Sequence, residues 1–155
     1  MTYAIDTSVP IERSKQQIEM LLRRYGADEF QSGWSIERRL AWVHFRMKAI
    51  YVKLTVTLPS KSDYHVTPGG KIRTEKQLDS AWEQGCRARW RALFLLVQAK
   101  LVAVEAWATS LEKEFLADVV MADGTTASEW IVPQLTEMYR SGRMPALAAT
   151  STVER

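Results

Sequence analysis

Apolar residues recur at steps of three and four between residues 74 and 108, within the longest stretch of the chain without proline. This spacing predicts one helix with a continuous apolar stripe, capped by Thr74. At 1.5 Å per residue the helix would be about 45–50 Å long, more than the width of a domain of this size. We therefore expect smaller elements to pack against it and to cover its almost uncharged second half. The predicted stripe consists of Leu78, Trp82, Cys86, Trp90, Leu93, Phe94, Val97, Leu101, Val104 and Ala108.

Apolar and polar residues alternate strictly over residues 40–47 and again over residues 50–58. Period-two alternation of β-branched and aromatic residues predicts two strands, and residues 30–35 form a shorter candidate strand before them. The two residues between the longer strands leave room only for a tight hairpin, although they lack the glycine that such a turn usually needs. The outward face of this pair is predicted to carry Trp42, His44, Arg46, Tyr51 and Lys53.

An amphipathic helix is predicted before the strands, over residues 11–25. Ser8 is a candidate cap, Pro10 suits a first turn, and Gly26 is a typical residue just beyond a helix end.

Two further helices are predicted near the carboxyl end. Capping-box spacing at residues 109–112 opens a helix to about Met121, and the same spacing at residues 126–129 opens another that reaches about Ser141. Pro133 is expected to kink this last helix or to mark its true start.

This order predicts an α+β fold. It comprises an N-terminal helix, a three-stranded antiparallel meander, then a long helix and two shorter C-terminal helices. Strands grouped before helices favour an antiparallel sheet with helices on one face. We expect residues 1–143 to form a single α+β domain and residues 144–155 to be a flexible C-terminal tail.

Charge is unevenly distributed along the 155 residues. The net charge is +3, but residues 59–100 contain 8 basic and 4 acidic side chains, whereas residues 101–139 contain 1 basic and 7 acidic. A basic middle can attract phosphates. The lone cysteine, the lack of a long apolar run and the lack of a signal-peptide pattern favour a reducing cytoplasm and no membrane association.

The long loop over residues 59–73 and the basic part of the long helix form the main candidate site. Single-strand-binding grooves combine cations that follow phosphates with aromatic rings that stack on bases. We therefore expect, as one function, non-catalytic binding of single-stranded nucleic acid, with single-stranded DNA as the candidate partner. The predicted binding residues are Lys61, Lys71, Arg73, Lys76, Arg87, Arg91, Trp42, Tyr51 and Tyr64. A meander followed by a long helix is also the element order of single-strand annealing proteins, with no shared motif.

The main alternative is a protein-interaction module, either a homo-oligomer or an inhibitor of a host protein. Six tryptophans and a helix longer than its domain motivate it. No cofactor or metal is expected, because two histidines and one cysteine show no ligand spacing. Cys86 lies on the apolar stripe and is predicted to be a core thiol.

A phosphoester enzyme is a weaker alternative. Residues 65–67 have the His-x-Thr form that resembles half of the two-histidine phosphoesterase signature. That chemistry needs a second histidine motif, and the only other histidine, His44, has no hydroxyl residue two positions on. The sequence therefore favours a protein without catalytic activity.

Four short sequence segments are distributed over most of the chain: SVPIERS at 8–14, RYGAD at 24–28, CRARWRAL at 86–93, and EFLA at 114–117 with Asp123-Gly124 after it. Together they resemble a group of small uncharacterised proteins of tailed phages and prophages, over roughly residues 8–147. This group carries no established activity. The resemblance implies a bacterial cytoplasm and a partner in phage or host DNA metabolism.

Overall fold

The computed structural model describes residues 4–144, and the predicted tail lies largely outside that range. The α+β prediction is confirmed, with the elements in the expected order. The helices are α1 (Ile11–Arg24), α2 (Glu75–Glu105), α3 (Leu111–Phe115) and α4 (Ala127–Ser141), and the strands are β1 (Glu29–Ser35), β2 (Leu40–Met47) and β3 (Ile50–Thr57). Short 3₁₀ turns cover Lys61–Tyr64 and Leu116–Asp118.

The three strands form an antiparallel meander in the order β1-β2-β3. The register pairs Trp42 of β2 with Gly33 of β1 and with Thr55 of β3. Lys48 and Ala49 make the tight hairpin between β2 and β3 with positive φ angles of 49° and 65°. This left-handed backbone is what a two-residue hairpin requires, so here two non-glycine residues adopt it.

One face of the sheet packs against α1 and α2 and forms the core. Val43 and Phe45 of β2 are buried there, as are Trp90 and Val97 of α2. The ring of Phe115 in α3 meets that of Phe45 edge to face, with centroids 5.4 Å apart. The alternate residues of β2 therefore lie on the opposite, outer face of the sheet.

Capping boxes define two helix starts as predicted. Thr74 accepts a hydrogen bond from the amide of Gln77 at the start of α2, and Thr126 accepts one from Glu129 at the start of α4. Helix α4 begins at Ala127, so Pro133 does not mark its start, and it continues through Pro133 to Ser141. Gly142 follows as the C-cap in a left-handed conformation with φ 67°.

A predicted helix cap and a predicted helix end differ from the structure. Helix α1 begins at Ile11 with Pro10 at its N-cap and no side-chain cap, so Ser8 does not fill that role. Helix α3 ends at Phe115 rather than near Met121. The segment after it leaves the helix because Val119 bridges Val52, and the amide of Val120 donates to the carbonyl of Tyr51 at 2.8 Å. Backbone pairing with the β3 edge replaces the last helical turns.

Candidate functional site

The predicted binding residues lie on two different sides of the molecule. Trp42 and Tyr51 project from the outer face of the sheet, whereas α2 covers the inner face. The cations lie on α2 and on the loop that precedes it. The nine residues therefore do not form the single groove of interleaved cations and rings that the sequence suggested.

Three of the predicted cations do line one groove. Arg73, Lys76 and Arg87 surround a cavity of about 600 Å³, together with polar side chains of α2. We call this cavity the basic groove. Lys76 and Arg87 share a helix face because they are eleven residues apart, close to three turns.

Arg73 is placed by a small hairpin in the loop. Val66 and Ile72 form an antiparallel bridge there. One guanidinium nitrogen of Arg73, Nη1, donates to the carbonyl oxygens of Tyr64 and Val66 at 2.7 and 2.8 Å. Its remaining N–H groups make no hydrogen bond within residues 4–144.

The basic groove has no carboxylate at contact distance within residues 4–144. Among the described residues, Arg73, Lys76 and Arg87 have no carboxylate oxygen within 4.0 Å. Arg87 instead donates from Nε and Nη2 to the side-chain oxygen of Gln84, at 3.0 and 2.6 Å. Acidic side chains lie further away: Arg87 also borders a neighbouring cavity that includes Glu12 and Glu83.

The other predicted cations have different surroundings. Lys61 pairs with Asp79 at 2.5 Å and lies 5.3 Å from the centre of the Trp82 ring. Arg91 donates a hydrogen bond to the side chain of Gln17 in α1 at 2.8 Å. Its guanidinium group lies over the ring of Phe94, 4.4 Å from the ring centre. Lys71 is exposed in the loop hairpin.

The predicted aromatic residues are engaged elsewhere. The ring of Trp42 lies across Gly33 of β1, and the hydroxyl of Tyr51 accepts a hydrogen bond from Arg46 at 3.3 Å. Tyr64 is half-buried with its hydroxyl against Gly85 of α2. None of the three presents a free ring face to the basic groove.

A second cavity, of about 770 Å³, lies on the outer face of the sheet. It combines His44 and Lys53 of the sheet with Asp118 and Glu129 from the C-terminal segment. Sequence reasoning identified the outward strand residues but not the two acids, which lie more than sixty residues further along the chain.

Burial shifts the proton equilibria in this outer-sheet cavity. Burial, with a smaller contribution from the nearby Lys53 charge, lowers the pKa of His44. Burial raises the pKa of Asp118, against the opposing effect of Lys100. The Nε2 atom of His44 is buried and has no hydrogen-bond partner in the described part of the chain. Glu129 is occupied by the capping box of α4, where it accepts from the Thr126 amide at 2.6 Å.

His65 and Cys86 show the environments expected of loop and core residues. His65 is exposed, and its carbonyl accepts from the Arg73 amide at 3.0 Å. Cys86 is buried, and burial raises the pKa of its thiol. A buried thiol with a raised pKa is a poor nucleophile.

Large apolar side chains remain exposed on two helices. On α2, Leu96 and Val102 are 46% and 50% exposed. On α4, Trp130 and Val132 are exposed to a similar extent, and only Ala127 of that helix is buried. The expectation that the chain covers the second half of α2 is therefore met only on its inner side. We name the α2 outer face by its six residues: Ala88, Ala92, Leu95, Leu96, Ala99 and Val102.

No known family model matches this chain, and no curated protein and no solved structure is detectably similar to it. Within residues 4–144, no helix has the length and apolar character needed to cross a membrane. In the same range, no three side chains of histidine, cysteine, aspartate or glutamate converge as metal ligands.

Proposed function

We propose that this protein binds nucleic acid without catalysing a reaction, and that the basic groove contacts the phosphates. The observation that carries the proposal is the convergence of Arg73, Lys76 and Arg87 around one groove without a carboxylate at contact distance in the described residues. Cations left unpaired by the protein are available to replace the counterions of a phosphate backbone.

The groove offers both a fixed and an adaptable contact. Two backbone carbonyls hold the Arg73 guanidinium in position, whereas Lys76 is an exposed point charge on a flexible stem. Arg87 lies about 16 Å further along α2, at 1.5 Å per residue. Three such charges, spread along one face, suit an extended polyanion better than a single small phosphate.

Single-stranded nucleic acid remains the proposed ligand, with phosphate contact as the main source of affinity. Trp42 and Tyr51 lie on the outer sheet face and do not border the groove. Base stacking therefore contributes little in this proposal, and a duplex of equal charge should compete. The resemblance to phage proteins would place this binding in phage or host DNA metabolism.

Fluorescence anisotropy with a labelled oligonucleotide, titrated at several salt concentrations, tests this function. With about three phosphate contacts, the logarithm of the binding constant should fall against the logarithm of salt with a slope of about −2 to −3. Absence of binding at low salt would overturn the proposal.

A protein-interaction module is the second candidate function, and a different observation supports it. The α2 outer face keeps Leu96 and Val102 half exposed and carries no charged residue. Contiguous exposed apolar surface of this kind marks sites of protein association. This function needs no part of the basic groove, so both functions can belong to one protein.

A further inference from the structure

The spacing along the α2 outer face is that of a coiled-coil seam. From Ala88 the apolar positions follow at Ala92, Leu95, Ala99 and Val102, in alternating steps of four and three. This 3.5-residue repeat is the pattern by which one helix packs along another. The inner stripe of the same helix packs on the sheet, and Leu95 is partly buried against the core. The exposed residues of the outer face remain available to a second helix from outside the domain: Ala92, Leu96, Ala99 and Val102.

We propose that the α2 outer face packs against the same face of a second copy of this chain, with the two helices antiparallel and a two-fold axis beside Leu96. This inference rests on the second candidate function, protein interaction, and gives its partner. A two-fold axis requires a surface that complements itself, and three features of α2 meet that requirement.

The first feature is the match of side-chain sizes in this register. Ala92 of one copy would face Val102 of the other, and Leu95 would face Ala99. Each contact joins a small side chain to a larger one, so the two backbones can approach closely without leaving voids. Leu96 of each copy would meet its own symmetry mate at the axis. The seam, residues 88–106, would extend about 28 Å at 1.5 Å per residue.

The second feature is charge. Arg91 and Glu105 lie on the same flank of the seam, on either side of its centre. In an antiparallel pair each Arg91 would lie beside Glu105 of the other copy, which gives two ion pairs by symmetry. A parallel pair would place neither residue beside an opposite charge. Arg91 uses only Nη1, in its bond to Gln17, and Glu105 accepts only from Tyr25 among the described residues.

The third feature is a protruding ring at one end of the seam and a recess at the other. Trp107 follows α2 directly, is 94% exposed and has a positive φ of 59°. A mostly apolar cavity of about 710 Å³ lies toward the other end, where Tyr64 and Gly85 border it together with the seam residues Ala88, Ala92 and Leu95. The antiparallel register brings Trp107 of one copy to the level of Ala88 of the other. Ring and recess would then meet twice in each dimer.

Sedimentation equilibrium of the full chain across a range of concentrations tests the dimer. The wild type should be a dimer, and the variant Leu96→Glu/Val102→Glu should be a monomer, because both substitutions place charge in the seam. The control, Val132→Glu on the exposed side of α4, adds one negative charge away from the seam and should remain a dimer. Circular dichroism and urea unfolding check that all variants fold.

A wild type that stays monomeric at high concentration overturns the inference but leaves the face free for a different protein. A dimer that survives the double substitution also overturns it, because the contact must then lie elsewhere. Neither result bears on nucleic-acid binding by the basic groove, so the two proposals fail separately.

A charge swap tests the antiparallel register. Arg91→Glu alone and Glu105→Arg alone should each weaken the dimer by roughly tenfold, since each places like charges together. The double variant Arg91→Glu/Glu105→Arg should recover most of the lost affinity. A double variant no tighter than the single variants would overturn the register.

Discussion

The hydroxyl of Tyr64 lies directly over Gly85 of α2, so that a β-carbon at position 85 would come within 2.1 Å of it. Pro59 borders the same spot, 3.0 Å from that position. Gly85 is the only glycine in α2, where glycine weakens a helix by about 1 kcal/mol relative to alanine. Glycine is needed at position 85 because the loop over residues 59–73 approaches α2 closely there. Tyr64 anchors this loop to α2 beside the basic groove.

Gly85→Ala should therefore lower the free energy of unfolding, although alanine is the better helix former. Overpacking of a filled site costs about 1–3 kcal/mol, which exceeds the propensity gain. Urea unfolding of the variant measures the difference. Gly69→Ala is the matched control, because a β-carbon there meets nothing closer than 3.9 Å.

A double-mutant cycle tests whether the contact with Tyr64 causes the destabilisation by Gly85→Ala. Tyr64→Ala removes the side chain that a β-carbon at position 85 would strike, so Gly85→Ala should cost less in that background than in the wild type. Equal costs in the two backgrounds would show that the contact between residues 64 and 85 is not the source.

The stability of the protein should fall on mild acidification because of His44. Its pKa is lowered by burial and by Lys53, so the unfolded chain takes up a proton there more readily than the folded one. The stabilising contribution is complete above about pH 6.5, the usual value for histidine, and is lost as the pH falls through the lower folded value. Asp118 and Glu129 line the same cavity, but burial and Lys53 set the direction of the His44 shift.

Urea midpoints between pH 7.5 and 5.5 measure this dependence, and His44→Gln should flatten it. Proton NMR of the His44 ring gives a direct reading. A His44 resonance that titrates at or above pH 6.5 would contradict the predicted direction.

Asp118→Asn should stabilise the protein at neutral pH. Burial raises the pKa of Asp118, so the ionised carboxylate costs free energy in the folded state. After allowance for solvent screening the gain should reach about 1 kcal/mol at most. The gain should disappear as the pH falls through the raised pKa, because Asp118 is then protonated and the penalty is gone.

Asp123→Asn is the matched control with the opposite sign. Hydrogen bonds from Thr125 lower the pKa of Asp123, so its charged form is favoured in the folded state. Its replacement should destabilise the protein at neutral pH. A stabilising effect of both substitutions would point to a general charge effect instead of burial at Asp118.

The sheet and α2 could be predicted because their periodic patterns are long. Alternation in β2 and the stripe from Cys86 to Leu101 correctly gave the buried faces. The end of α3 could not be predicted, because Val119 and Val120 pair with the distant β3 edge. Tertiary hydrogen bonds of this kind override local helix signals.

The candidate site was predictable only in part. The predicted residues Arg73, Lys76 and Arg87 border one groove, and the first two are also close in sequence. Trp42 was grouped with them by chemistry alone, although strand alternation had already placed it on the face away from the helices. Asp118 reaches the outer-sheet cavity through chain folding that no local pattern encodes.

The central claim is that the basic groove binds nucleic acid, and one anisotropy experiment tests it most directly. Lys76→Glu/Arg87→Glu is compared with Lys48→Glu/Lys113→Glu, which changes the net charge equally at exposed positions away from the groove. We predict that the groove variant loses at least about tenfold in affinity at low salt and most of its salt dependence. The control variant should bind nearly as the wild type does. Equal losses of affinity in the two variants would contradict binding at the basic groove. They would show that the affinity depends only on the net charge of the protein.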